Sequence, residues 1–228
     1  MEVVHVASCA FGDRASEWQR WMLKSLKLPH PNAKHYPIEM MWYEIQKRFG
    51  VMAPRAARGF WKVKAWTDIP TRPLSGGLWV LDADVLVLKP LIWKPANPET
   101  IMAAAIGGDE KYLNFMEKAG VELQNDAHFN AGVFWINGDL APIWDKWYQP
   151  ICDVVGPTSY PLAECVLNAV WHELRREDKA EVLPVAYNQI ISEHGPYGAT
   201  VFHLAGSPEH FRARLMESYY RALLNPEV

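Results

Sequence analysis

The chain has 228 residues, enough for one domain with a large buried core, and its 50% hydrophobic and 21% charged content is that of an ordinary globular protein. A formal net charge of −3 supplies no global basic field for nucleic acid or an anionic membrane. No run of about 18 apolar residues occurs, Met1-Glu-Val-Val-His-Val-Ala7 lacks the basic start of a signal peptide, and Cys9, Cys152 and Cys165 form an odd set without C-x-x-C spacing. Free thiols, no zinc knuckle and a reducing cytoplasm are therefore expected.

A strand is predicted at 3–7, followed by a loop of small and turn-forming residues at 8–13. Ser16 is placed to cap a helix at 17–26, in which Trp18, Trp21, Met22 and Leu26 approximate a 3.6-residue period. Pro29, Pro31 and Pro37 predict an irregular connection, with helices after it at 38–49 and 56–69. Pro70, Pro73 and Gly76-Gly77 mark a loop. The apolar run at 78–88 reads as one strand interrupted by Asp82 and Asp84. Further strands are expected at 100–106, 129–136, 182–184 and 200–204, and helices at 141–154, 161–173 and 212–224. Strands alternating with helices imply an α/β fold with a mainly parallel sheet. No repeat or linker divides the chain, so 1–228 reads as a single domain. Most of the eleven tryptophans are expected to fill the core, although exposed ones could stack on sugar rings or bases.

Asp82 and Asp84 carry the chemistry. A strand buried on both faces tolerates an ionised side chain only if it is paired or bound to metal. Residues two apart share a strand face, about 7 Å apart along it, so the two carboxylates invite a divalent cation, which hard oxygen ligands suit. The plainer alternative is a turn cap beside a solvated strand end. In an open α/β sheet, ligands bind beyond the carboxyl ends of the strands, where this pair would lie. Residues 47–72 are locally basic, holding Lys47, Arg48, Arg55, Arg58, Lys62, Lys64 and Arg72 against Asp68 alone; a solvated helix face explains part of this and a phosphate partner the rest.

Several blocks together resemble the glycogenin-like, family 8 glycosyltransferases of GT-A fold. Leu81-Asp-Ala-Asp-Val-Leu-Val-Leu-Lys-Pro90 is similar to their D-x-D strand, and Trp61-Lys-Val-Lys-Ala-Trp66 to the lysine-bearing helix before it. Phe129-Asn-Ala-Gly-Val-Phe134 resembles F-N-[S/A]-G-V, Leu183-Pro-Val-Ala-Tyr-Asn188 resembles L-P-x-x-Y-N, and Val201-Phe-His-Leu-Ala-Gly206 resembles the terminal H-[FLY]-x-G. The blocks stand in the family's order. The resemblance implies a GT-A, Rossmann-like domain and a metal-dependent transfer from a nucleotide diphosphate sugar, UDP-linked, to an acceptor hydroxyl with retention of configuration. It implies Mn²⁺ or Mg²⁺ on Asp82, Asp84 and His203, the imidazole tilting the set toward Mn²⁺. Lys62 would contact phosphate or donor hydroxyls, and Ala83 and Gly206 would border the nucleotide sugar. Asn130 would hydrogen-bond the reacting sugars, with Gly132 allowing close approach of the ligand; the alternative for Asn130 is a turn at the strand's entry. Asn188 is a donor-side candidate, and Ala7, Ser8 and Cys9 would seat the base.

Two departures from the family pattern bear on catalysis. In Leu162-Ala-Glu-Cys-Val-Leu-Asn168, the aspartate of the relatives' A-D-Q-G segment becomes Ala163 and the glutamine becomes Glu164, leaving Glu164 to supply the carboxylate. The phosphate-binding lysine after His203 becomes Glu209, so His210, Arg212 or Arg214 would replace its charge; Arg212 suits bidentate phosphate contact. A catalytically silent nucleotide- or glycan-binding module is the alternative that these changes favour. A sugar-phosphate nucleotidyltransferase is disfavoured because Ser8–Arg14 has one Gly and one Arg. The acceptor stays open among glycan, lipid-linked glycan, protein, small molecule and modified DNA.

Overall fold

In the computed structural model the described residues are 3–10, 12–38, 62, 76–107, 111–124, 127–157, 161–191, 196–205 and 207–225. The helices expected at 38–49 and 56–69 lie outside them except for Ile38 and Lys62. Strand β1 (His5–Ser8) leads into helix α1 (Gly12–Lys27), and β2 (Lys34–Pro37) follows. β3 (Leu78–Leu81), β4 (Val85–Val87) and β5 (Met102–Ala105) precede α2 (Lys111–Lys118). Then come β6 (Val133–Ile136), α3 (Ala141–Val155), α4 (Leu162–Arg176), β7 (Ala180–Leu183), a 3-10 turn (Val185–Asn188), β8 (Gln189–Ile190), β9 (Val201–His203) and α5 (Glu209–Leu224).

The larger sheet has the order β2-β1-β3-β6-β5-β7. β1 pairs parallel with β2 and β3, and β5 parallel with β7, whereas β6 runs against both β3 and β5. The sheet is thus mainly parallel with β6 reversed inside it. Its central strands are buried on both faces, as their continuous apolar runs require. Leu78, Val80, Phe134 and Ile136 join α3 and α4 in one core; Trp79, Leu81, Val133 and Trp135 face the other with Met22 and Leu26 of α1 and Met216 of α5. That second core also holds Val85, Leu86, Val201 and Phe202 of a small sheet ordered β4-β9-β8. Trp21, Trp79, Trp135, Trp144 and Trp171 are buried, so these tryptophans serve packing.

The run at 78–88 is two strands. After Leu81 the chain makes a last contact with the large sheet, Asp82 N donating to Gly132 O at 2.8 Å, and turns at Ala83 and Asp84. It then enters the small sheet, with Leu204 N donating to Asp84 O at 3.0 Å. Apolar residues on both sides of the turn conceal the change of sheet, because each short strand is buried. Other elements also depart from expectation, with α2 and β8 forming where none was expected. α1 starts at Gly12, which leaves Ser16 exposed within the helix, and β2 forms inside the proline-rich connection. β2 is an edge strand, where Pro37 leaves no interior ladder bond unmade. Among the described residues no helix is long and apolar enough to cross a membrane. Among the described residues Cys9, Cys152 and Cys165 form no disulfide, and all three are buried.

Candidate metal and sugar-nucleotide site

Three strand ends meet at the carboxyl edge of the large sheet. Asp82 follows the last residue of β3, and Asp84 precedes β4. The antiparallel register that pairs Val85 with His203 brings the end of β9 beside Asp84. Because β6 is reversed, its entry rather than its exit lies at this edge: Leu81 pairs with Val133, so residues 129–132 border the site. One ligand atom from each of Asp82, Asp84 and His203 lies within 4.8 Å of the others. Two carboxylates and an imidazole at that separation suit a hard divalent cation accepting one nitrogen ligand, as Mn²⁺ does.

The second layer orients these donors. His203 Nδ1 lies 3.0 Å from Asn188 Oδ1, and Asn188 Nδ2 donates to Asn130 O at 2.8 Å. A carbonyl only accepts, so the amide nitrogen of Asn188 must face Asn130 and its oxygen must face His203. His203 therefore donates through Nδ1, which leaves Nε2 to face Asp84 Oδ1, 3.5 Å away. Asn188 is buried and spends both ends of its amide inside the protein, which positions His203. Gly132 likewise serves the protein: a Cβ there would collide with the His203 ring, so the absent side chain makes room for the histidine, where a ligand had been expected.

Each aspartate also meets a cation. Lys62 Nζ is 3.0 Å from Asp82 Oδ1, and Arg212 Nη1 is 2.6 Å from Asp84 Oδ2. Burial pushes the Asp84 carboxyl up, but His203 and the Arg212 guanidinium outweigh it and hold the group at about 2. Arg212 also donates to Ser207 O at 2.7 Å and Ser207 Oγ at 3.2 Å and sits over the Trp18 ring. Glu209 is exposed and within 3.8 Å of Arg14.

Glu164 occupies the first turn of α4. Its Oε2 accepts from Asn130 Nδ2 and Ala131 N, each at 3.3 Å, and its Oε1 is 3.6 Å from His128 Nε2. Burial pushes the Glu164 carboxyl up to about 7 against the Ala131 hydrogen bond and the Lys62 charge. Asn130 Oδ1 accepts from Gly132 N at 3.0 Å, so Asn130 holds its own strand-entry turn while its amide group faces Glu164. Ala163 is buried. Sequence reasoning assigned no role to Asn168, one turn further along α4. Its side chain accepts from Phe129 N and donates to Phe129 O, both at 2.9 Å, and so clamps the 129–132 segment to the helix that bears Glu164. The only available signal was an amide in an otherwise apolar helix face.

Of the remaining expected residues, Ala7 and Ser8 end β1 at the same sheet edge, both buried. The Ser8 hydroxyl is engaged by Gln19 Nε2 at 2.8 Å and His35 Nε2 at 2.7 Å, so a base seated here would meet backbone before hydroxyl. Ala83 is buried in the turn between the aspartates. Gly206 and most of the basic segment 47–72 lie outside the described residues.

No protein-family model matches the sequence, and no curated protein matches it. Solved structures do. The galactosyltransferase LgtC in complex with donor and acceptor sugar analogs superposes with a TM-score of 0.60 at 16% identity, over 96% of this chain and 99% of that one. A glycosyltransferase involved in glycosylating the major capsid of PBCV-1 gives 0.56 at 14% identity, over 93% and 99%. The apo form of the glycosyltransferase GlyE of Streptococcus pneumoniae TIGR4 gives 0.55 at 16% identity, over 99% of this chain and 63% of that one. These similarities establish the architecture as that of the GT-A glycosyltransferases.

Proposed function

We propose that this chain is a metal-dependent glycosyltransferase that moves a hexosyl or pentosyl group from a nucleotide diphosphate sugar, UDP-linked, to an acceptor hydroxyl with retention, within one catalytic domain spanning 1–228. The observation that carries the reading is the convergence of Asp82, Asp84 and His203 at the carboxyl edge of a GT-A sheet. When bound on these residues, Mn²⁺ or Mg²⁺ would neutralise charge developing on the leaving diphosphate. The protein's own part is electrostatic and positional. Lys62 and Arg212, paired with Asp82 and Asp84, would bring two further cations to the diphosphate. Asn188 keeps Nε2 of His203 available as a ligand. Asn130 and Glu164 form a hydrogen-bonded pair that would face the reacting sugar, and Glu164, holding its proton to about pH 7, is suited to exchange one near neutrality.

Ala163 and the exposed Glu209 favour one rival, a silent member that binds a nucleotide sugar without turning it over. Mass spectrometry of nucleotide release against a panel of nucleotide sugars, with and without Mn²⁺, separates the two. Mn²⁺-dependent release from a UDP-sugar is expected. Binding without release across the whole panel would establish the silent module.

A further inference from the structure

Both metal-facing carboxylates already hold a cation of the protein's own, and the two pairs are buried differently from surface ion pairs. The side chains of Lys62 and Arg212 are 7% and 12% exposed, and those of Asp82 and Asp84 are 28% and 12% exposed. Two carboxylates and two cations cancel. A divalent cation entering alone would bring uncompensated positive charge between Lys62 and Arg212, where little water screens it.

Arg212 is the one of the two whose anchoring permits a change of partner. Among the described residues its Nη1 serves Asp84 alone, while Nε and Nη2 donate to Ser207 and the guanidinium rests over Trp18. If the Asp84 contact is lost, Ser207 and Trp18 still hold the group at the site with Nη1 free. A guanidinium is also the side chain that best matches phosphate oxygens.

We infer that Arg212 competes with the divalent cation for Asp84, so that the cation binds weakly by itself and strongly only together with a nucleoside diphosphate; this rests on the metal-dependent reading above. The diphosphate supplies the missing negative charge and takes over Nη1. Coupling of this kind is reciprocal: the diphosphate must in turn need the metal to the same degree.

Mn²⁺ binding to the full chain, followed by electron paramagnetic resonance and calorimetry with UDP, ADP or GDP added in turn, tests the inference. For the wild type, Mn²⁺ alone should bind about tenfold or more weakly than Mn²⁺ with the preferred diphosphate. Arg212→Gln should tighten Mn²⁺ binding in the absence of nucleotide by about threefold or more and shrink the coupling. Arg212→Met, which keeps the length and the Trp18 contact, should do the same and stands in if the glutamine variant does not fold. Arg221→Gln, an exposed charge on the same helix, should leave both quantities at wild-type values. Unchanged or weaker Mn²⁺ binding in the Arg212 variants overturns the inference alone. Absence of Mn²⁺ binding to the wild type, with or without nucleotide, overturns the metal-dependent reading and the inference together.

Discussion

His203 offers Nε2 to the site because Asn188 holds Nδ1, and it fits at all because residue 132 has no side chain. Gly132→Ala should therefore act through the histidine: Mn²⁺ affinity is expected to fall and stability to drop by roughly 1–3 kcal/mol, as overpacking typically costs, both measurable by calorimetry and denaturant unfolding. A variant with normal metal affinity would show that the ring does not depend on this space. Glu164 makes a prediction of opposite character, about pH. Its carboxyl holds a proton to about 7 in the folded protein, against an ordinary 4.5. Between those values the folded state binds more protons than the unfolded one, so stability of the metal-free protein should fall as pH rises from about 4.5 through 7. The size of the effect is roughly 3 kcal/mol, and Glu164→Gln should flatten that part of the stability profile. At this scale the candidate metal donors Asp82 and Asp84 were legible as carboxylates in an apolar run, and His203 only through the resemblance of its segment to the terminal H-[FLY]-x-G block. The roles of Asn188, Gly132 and Asn168 were not, because each depends on a neighbour remote in the chain.

Among the elements, the reversed strand β6 decides which segment borders the site. A parallel strand in that place would put Ile136, not Val133, at the carboxyl edge and carry Asn130 to the opposite end of the sheet. Asn168 of α4 then fixes the entry of β6 by closing both backbone groups of Phe129. Asn168→Leu should leave that buried N–H and C=O unpaired at a cost of about 3 kcal/mol, measured by urea unfolding, and should reduce donor turnover by displacing Asn130; a fully active, equally stable variant would refute the clamp. Strand and helix existence was largely readable from periodicity, as α3, α4 and α5 attest. The split of 78–88 into β3 and β4 was not, because burial in two different sheets produces the same apolar pattern as burial in one.

For the whole molecule, the two cores on either face of the large sheet hold the strand ends that form the site, so ligand and fold should be linked. At a hundredfold excess over Kd, Mn²⁺ with the preferred nucleoside diphosphate should stabilise the protein by about 2.7 kcal/mol, which for a chain of this length raises Tm by roughly 5–10 °C. Thermal melts with chelator, Mn²⁺, nucleotide and both together would reveal it; identical melting in all four would count against a folded, preformed site. The sequence by itself determined the α/β alternation, the buried strands and the identity of the charged groups, since hydrophobic periodicity and the cost of burying charge are local properties. Only the tertiary structure decided what those groups face. Register across β4 and β9 set His203 against Asp84, and the packing of α5 on α1 set Arg212 over Trp18 and onto the same aspartate. Such pairings join residues far apart in the chain, and no local pattern encodes them.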